Sequence, residues 1–559
     1  MFNDYQKLYK EWLDSPLLNK EEKAELLALK DDGQIKDRFY RDLAFGTGGL
    51  RGVMEIGTNR MNRFVIRRAT QGLANYLNKK HNNPSVAIAY DSRNHSAEFA
   101  KETAATLAAN GVKVYLFNEL MPTPSLSFAT RYYHCQAGVV VTASHNPKIY
   151  NGYKVYGPDG CQCTDELANA VLNEILKLDI FKDVKVGNFD ELLKQGLINI
   201  IDQDCFDAYI ESTKKQSLFD ESRDINIIYT PLNGAGRKCV TIILKECGFN
   251  NVKLVKEQEM PDGNFPTCPY PNPEIHDALK LGIDKLVKEK ADILVATDPD
   301  SDRCGVVVNA QDGPHILTGN EVGLLLFDAI YHAKKERGLL SKRPVLVKTI
   351  VSSDMATLMA EDFGVTVKEV LTGFKYIGEQ MLYLERENAL NDYLFGFEES
   401  CGYLTNPDVR DKDAVNAVML VCEVANHLKK KGMTLVDRLN ELYIKYGDFK
   451  TALLTYEFPG VEGMQKIQDL MKFFRNEEIK QQIKGIDHIG DYKAGFIFYK
   501  NRKEPTNLPV SDVVKFFLGD SSTITIRPSG TEPKLKIYIF ANGQKRVDEL
   551  KKLFEGFIK

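Results

Sequence analysis

Three stretches of this chain repeat one order of element types, and that repeat constrains the fold more than any other feature. "VAIAYDSRNHSAEFAKETAATLAANGVKVYLF" begins at Val86, "INIIYTPLNGAGRKCVTIILKECGFNNVKLV" at Ile225 and "VLVKTIVSSDMATLMAEDFGVTVKEV" at Val345. Each runs from a short apolar segment through a polar or glycine-containing loop into an amphipathic stretch, a glycine and a second β-branched run. That order is strand, loop, helix, capping glycine, strand: the βαβ unit. Strands that are apolar throughout, rather than alternating, belong to parallel sheets covered on both faces. The expectation is α/β: three related domains with mixed, largely parallel sheets. From Phe449 the rhythm changes. "FKTALLTYEF" and "STITIRPSGTEPKLKIYIF" alternate polar with apolar residues, and "KRVDELKKLFEGFIK" closes the chain as an amphipathic helix. This predicts a smaller C-terminal α+β domain. Polar or glycine-containing breaks place the four domains at 1–205, 206–317, 318–447 and 448–559. Ahead of the first repeat, "NKEEKAELLALKDDGQIKDRFY" predicts a helix leading into a glycine loop.

Composition excludes several function classes. A formal charge of -4 over 559 residues gives no global field for nucleic acid, though it leaves room for local basic pockets. The N-terminus lacks the apolar segment of a secretion signal, and no apolar run approaches the about 18 residues that would span a bilayer. Of ten cysteines only Cys161 and Cys163 lie close together, without a matching second pair, so a zinc site is not expected. A reducing cytoplasm fits this cysteine usage.

Chemistry is concentrated in loops that leave these strands. "AGVVVTASHNPKIYNGYKVYG" is an apolar strand running into Thr142, Ser144 and His145. Asn151-Gly152 then predicts a tight turn that returns Lys154 toward the serine. Ligands of open α/β sheets bind where strands end, although a serine-capped hydrophilic loop reads equally well. The fragment is not G-x-S-x-G, so a hydrolase elbow is unsupported. "ILVATDPDSDRCG" carries a buried strand into Asp298, Asp300 and Asp302, whose carboxylates repel unless a cation joins them. An all-oxygen set favours a hard ion such as Mg²⁺. It is no EF-hand: Arg303 stands where the loop needs glycine, and Asn309 where it needs glutamate. Magnesium usually completes its shell with water or phosphate oxygens, so a phosphorylated Ser144 would join the two loops into one site.

"TIRPSGTEPKLK" offers Arg527, Ser529, Gly530, Thr531 and Lys536, which suit an anion nest as well as an ordinary hairpin. "GFEESCGYL" offers Glu398 and Ser400 for sugar hydroxyls, and "LTGFKYIG" offers Lys375. "FGTGGLRG" has Arg51 where a dinucleotide fingerprint needs its last glycine, so Arg51 reads as an anion contact on a glycine loop.

Together "GTGGLRG", "TASHNP…NGYKVY", "DPDSDR", "GFEES" and "RPSGTEPK" resemble the α-D-phosphohexomutase family, in family order and over nearly the whole chain. The resemblance implies four domains around a central cleft, a phosphoserine at Ser144 and Mg²⁺ on Asp298, Asp300 and Asp302. It implies a distal phosphate on Arg527, Ser529, Gly530, Thr531 and Lys536, with sugar hydroxyls on Glu398 and Ser400. "GFEES" is similar to the branch acting on glucose phosphates, while length and "GFEESCGYL" also resemble a subgroup that includes phosphopentomutases. The implied reaction moves phosphate between the 1- and 6-hydroxyls of glucose through glucose 1,6-bisphosphate, which also primes the serine. In that scheme Lys154, with a lowered pKa, takes the hydroxyl proton, Arg51, His145 and Arg303 orient or neutralise the phosphoryl group, and Lys375 contacts the sugar. The last domain is expected to close over the cleft, in a monomer or weak homo-oligomer with no membrane or nucleic-acid partner. A mannose-phosphate mutase, a serine- and metal-dependent sugar phosphatase and a non-catalytic sugar-phosphate binder are the rival readings.

Overall fold

The computed structural model describes residues 4–46, 49–458, 460–529 and 534–558. Its strands form four sheets. The first runs in the order Gly49–Val53, Tyr150–Tyr156, Ala137–Val141, Ser85–Tyr90, Lys113–Leu116, Ile198–Ile200. Its Val86 repeat supplies the parallel centre, and the first two strands are antiparallel additions at one edge. The second sheet is parallel through Ile227–Thr230, Val252–Leu254 and Ile293–Thr297, then antiparallel through Cys304–Ala310 and Gly313–Leu317. In the third, Val345–Thr349 pairs in parallel with Thr366–Val370 and Tyr393–Glu398, and Gly402–Leu404 returns antiparallel. The fourth sheet is antiparallel throughout and has seven strands.

One construction recurs in the first three sheets. A fully buried strand of the parallel part, Ala137–Val141, Ile293–Thr297 or Tyr393–Glu398, leaves the sheet and comes back antiparallel beside itself. The hairpin loops so formed hold residues 142–149, 298–303 and 399–401. Each contains a non-glycine residue in the left-handed region: Ser144 at φ 52°, Ser301 at φ 52° and Cys401 at φ 60°. Such residues cost about 1–3 kcal/mol apiece and persist only where the surroundings over-determine them, as at functional sites. Asn151-Gly152 is not the turn that the sequence suggested. Both residues lie inside the return strand, where a Cβ on Gly152 would sit 2.4 Å from Thr142 O and 2.9 Å from Leu50 O. Glycine is there for close strand approach, and Asn151 is buried on Ser96 Oγ at 3.0 Å.

A continuous apolar core links the first three sheets, with Tyr209, Tyr229, Phe327, Phe395 and Val418 among its members. The fourth sheet has a core of its own, including Phe474, Phe516, Ile537 and Phe554. Phe449 and Phe540 of this sheet join the larger core, and the sheet also meets the third through a small apolar joint, Ile350 and Leu371 against Tyr492 and Val513, and through buried Lys515, which donates to Ile350 O at 3.0 Å and pairs with Asp354 at 3.4 Å. The connecting residue Gly447 has φ 113°, a conformation that side chains disfavour. Among the described residues no helix is long and apolar enough to cross a membrane.

Candidate active site

The serine loop is held by its own backbone partners. Ser144 N–H donates to Thr142 Oγ1 at 2.8 Å, and Thr142 Oγ1 donates to buried Asp91 at 2.6 Å. Buried Arg93 takes the carbonyls of Ser144, Asn146, Pro147 and Tyr150, so one guanidinium ties the whole turn together. This locks Ser144 in its left-handed conformation and aims Oγ away from the sheet. Oγ donates to Asp298 Oδ2 at 2.8 Å, across 154 residues of sequence, and stands 3.2 Å from His145 Nδ1. Burial, with Arg303 and Arg51 nearby, pulls the His145 pKa well below the usual imidazole value and keeps the ring neutral.

Asp298, Asp300 and Asp302 are buried, and a carboxylate oxygen from each lies within 4.8 Å of the others. Burial and the two neighbouring carboxylates push Asp298 well above the ordinary range. Burial works most strongly against ionised Asp300, but Lys154, a hydrogen bond with Asp298 and the Lys412 charge together hold it below that range. Asp300 Oδ1 and Asp302 Oδ1 are buried without a hydrogen-bond partner. Orphaned carboxylate oxygens beside like charges are the chemistry of a hard-cation site, so the trio fits a divalent metal.

Lys154 Nζ donates to Asp300 Oδ2 at 2.9 Å and lies 3.6 Å from Asp302. Burial disfavours its charge, yet Asp300 and Asp302 raise its pKa above the usual lysine value. The expected lowering is therefore not met: the sequence reading weighed the cations around Lys154 and missed the carboxylates it faces. A cation bound to the same carboxylates would weaken their hold on the ammonium and so favour the neutral amine.

A cleft of about 520 Å³ opens in front of these loops and is lined from all four sheets' loops. Arg51, His145 and Arg303 line it together with Glu398 and Ser400 and with Arg527, Ser529 and Lys536. Arg51 reaches Asn146 Oδ1 of the serine loop at 3.3 Å, and Arg303 is ion-paired to Glu274. Ser400 Oγ donates to Glu398 Oε1 at 3.0 Å. Burial and Glu398 next to it push Glu399 up to about 7. Arg527 and Lys536 face each other across the last hairpin, and burial together with Arg527 pulls Lys536 down. Gly530 and Thr531 lie outside the described residues. Lys375 is not brought to the cleft. It is buried on Asp165 at 2.7 Å, because its helix start packs against the first unit.

Several site residues escaped the sequence reading. Lys412 pairs with Asp302 at 3.2 Å, and Thr123 donates to Asp300 Oδ2 at 3.0 Å. Lys412 sits in "VRDKDAV", which reads as ordinary surface charge. Arg93 and Asp91 had a usable signal, since "AYDSRNHS" follows a buried strand as the other loops do. Gly319 backs the sugar-side loop: a Cβ there would lie 2.1 Å from Glu399 O and 2.6 Å from Cys401 N. Gly319→Ala is expected to displace that loop, raising the sugar-phosphate KM by about tenfold and lowering stability by about 1–3 kcal/mol, as steady-state kinetics and a thermal melt would show.

A serine loop beside a buried carboxylate trio that fits a divalent cation, with a basic hairpin lining the same cleft, presented by three α/β units and an antiparallel fourth, suits the class of sugar-phosphate mutases. Sequence models of the phosphoglucomutase/phosphomannomutase α/β/α domains I, II and III match residues 42–180, 207–313 and 318–446, and the C-terminal domain matches 464–556. The chain belongs to the phosphoglucomutase/phosphomannomutase family. It is 36% identical over 519 residues to a phosphoglucomutase of Staphylococcus saprophyticus, covering 92% of this chain and 93% of that one. A phosphoglucomutase of Staphylococcus haemolyticus is 37% identical, covering 90% and 91%. Among solved structures, the open form of parafusin, a phosphoglucomutase from Paramecium, superposes with a TM-score of 0.69 at 18% identity, covering 93% of this chain and 95% of that one.

Proposed function

We propose that this enzyme interconverts glucose 1-phosphate and glucose 6-phosphate through a phosphoserine at Ser144, with Mg²⁺ on Asp298, Asp300 and Asp302. The observation that carries the reading is the 2.8 Å contact between Ser144 Oγ and Asp298, made by two loops whose His145 and Arg303 line the same cleft as Arg527, Ser529 and Lys536. The staphylococcal relatives, named phosphoglucomutase, support glucose as the sugar. Bound Mg²⁺ would supply positive charge that offsets the phosphoryl oxygens.

The chain's own residues then divide the work. Arg527, Ser529 and Lys536, with Gly530 and Thr531, hold the substrate's existing phosphate, while Glu398 and Ser400 take its ring hydroxyls. This leaves the free hydroxyl facing phosphorylated Ser144. The hydroxyl oxygen bonds to phosphorus as the phosphorus–Ser144 Oγ bond breaks, and the hydroxyl proton passes to Lys154. Arg51 and Arg303 neutralise the moving group, and neutral His145 steadies Ser144 Oγ. The product, glucose 1,6-bisphosphate, turns end for end and returns its other phosphate to Ser144 while Lys154 gives back the proton. The same bisphosphate recharges a serine that has lost its phosphate. Closure of the fourth unit, which has its own core and a small joint, would shut water out. The free state of all ten cysteines supports a cytoplasmic setting.

A coupled assay on glucose 1-phosphate, with mannose 1-phosphate and ribose 1-phosphate as competitors, tests the reading. Glucose 6-phosphate formation that depends on bisphosphate and on Mg²⁺ supports it, whereas faster turnover of either competitor reassigns the substrate. Arg527→Ala is expected to raise KM by about tenfold or more through loss of charged phosphate hydrogen bonds. Unchanged kinetics in that variant would remove the distal-phosphate role.

A further inference from the structure

The mechanism leaves unused the helices α1 (Asp4–Asp14), α2 (Lys20–Leu27) and α3 (Asp32–Phe39), which precede residue 42, where the first family match begins. The helices enclose a core of their own. Trp12, Leu18, Leu26 and Phe39 meet Ile56 and Phe64 of the first unit. Trp12, the chain's only tryptophan, is 1% exposed and meets the rings of Phe39, Phe64 and Phe181 edge-on at 5.8, 5.4 and 5.2 Å.

Beside this core runs a network of charges. Arg38 of α3, 8% exposed, donates to Ile56 O at 3.1 Å and pairs with Glu25 of α2 and with Glu55 at 3.1 Å. Glu25 Oε1 accepts Ile56 N–H at 2.9 Å, and Arg38 O accepts Asn59 N–H at 2.9 Å. Arg60 closes the network on Glu55 at 2.7 Å and on Asp37 of α3. A Cβ on Gly57, at φ 143°, would lie 2.8 Å from Arg38 O. The backbone of residues 56–59 is therefore anchored on the helices.

That segment continues strand β1 (Gly49–Val53), which carries Arg51. β1 lies at the edge of its sheet, and Tyr150–Tyr156 is its neighbour among the described strands. Met61 N–H ties the anchored segment back to Val53 O at 2.8 Å. An edge strand has sheet bonds on one side, so its placement depends on what holds it elsewhere.

We propose that α1–α3 form a strut that sets the position of Arg51, with Arg38 and Glu25 as its positioning residues. The proposal rests on the reading that Arg51 meets the transferring phosphoryl group. A strut acting on one wall of the cleft lowers kcat and spares KM, because the distal-phosphate and hydroxyl loops belong to other units.

A double-mutant cycle on the full-length enzyme tests this. Arg38→Met is expected to lower kcat about tenfold with KM unchanged. In the Arg51→Ala background the same change is expected to lower kcat by less than about twofold, because the strut acts through the missing group. Trp12 emission keeps its buried maximum if the helices stay docked. If Arg38→Met shifts that emission to the red, Glu25→Gln, which leaves the Ile56 N–H acceptor in place, carries the same cycle. Equal losses in both backgrounds, or no loss in the first, overturn the strut. An Arg51→Ala enzyme with full kcat instead overturns the role assigned to Arg51, and the two failures are told apart by that single variant.

Discussion

Ser144→Ala lowers turnover by at least about ten-thousand-fold while the protein melts where the unaltered chain does. On this account the change removes the hydroxyl that carries phosphate, and the neighbouring hydroxyl does not replace it, since Thr142 Oγ1 is engaged on Asp91. Stability is spared because little else depends on Oγ. The Ser144 N–H keeps Thr142, and the carbonyl keeps Arg93. Asp298 Oδ1 keeps the N–H groups of Asp302 and Arg303 at 3.1 and 3.0 Å. Alanine pays a similar cost for the left-handed backbone. The coupled assay and a thermal melt, run on the same preparation, check both halves. Turnover like that of the unaltered enzyme would end the phosphoserine account.

The second large effect belongs to the carboxylates. Asp300→Asn is expected to lower activity at least about a thousand-fold and to abolish the stabilisation that Mg²⁺ gives the unaltered protein. Asparagine still offers Lys154 and Thr123 an acceptor oxygen, so their contacts at 2.9 and 3.0 Å have a partner and the loop should keep its shape. What is lost is one negative charge of three. Melting with and without Mg²⁺, before and after chelator treatment, reads this directly. A Mg²⁺-dependent melting shift that survives in Asp300→Asn would place the metal elsewhere.

Much of this was legible in the sequence, and for a physical reason. Parallel strands buried on both faces must be apolar throughout, so "GVVV" and "ILVAT" announce themselves, and the polar residues after them mark the mouth of the sheet. Ser144 and the three aspartates were found that way, and the structure brings them together. What sequence could not show was how each strand turns back on itself. Asn151-Gly152 looked like a turn and proved to be a strand pair that needs glycine for closeness. Lys154 looked like a lysine among cations and faces two carboxylates. Lys375 followed a glycine turn as a binding residue would, yet its helix delivers it to Asp165. Lys412 arrives from 110 residues beyond Asp302, with only tertiary packing to connect them. Such pairings are set by how units pack against each other, and local pattern carries no trace of them.

The central claim is that phosphate passes through Ser144 on its way between two positions of one sugar. The enzyme can be charged with glucose 1,6-bisphosphate bearing labelled phosphate, freed of sugar, and split into two portions. The account predicts that the first portion, digested, carries label on the peptide containing Ser144. It also predicts that unlabelled glucose 1-phosphate strips label from the second portion and that the label passes through glucose 1,6-bisphosphate into the 6-position of glucose 6-phosphate. Label on any other peptide, or label released only as inorganic phosphate, would contradict it.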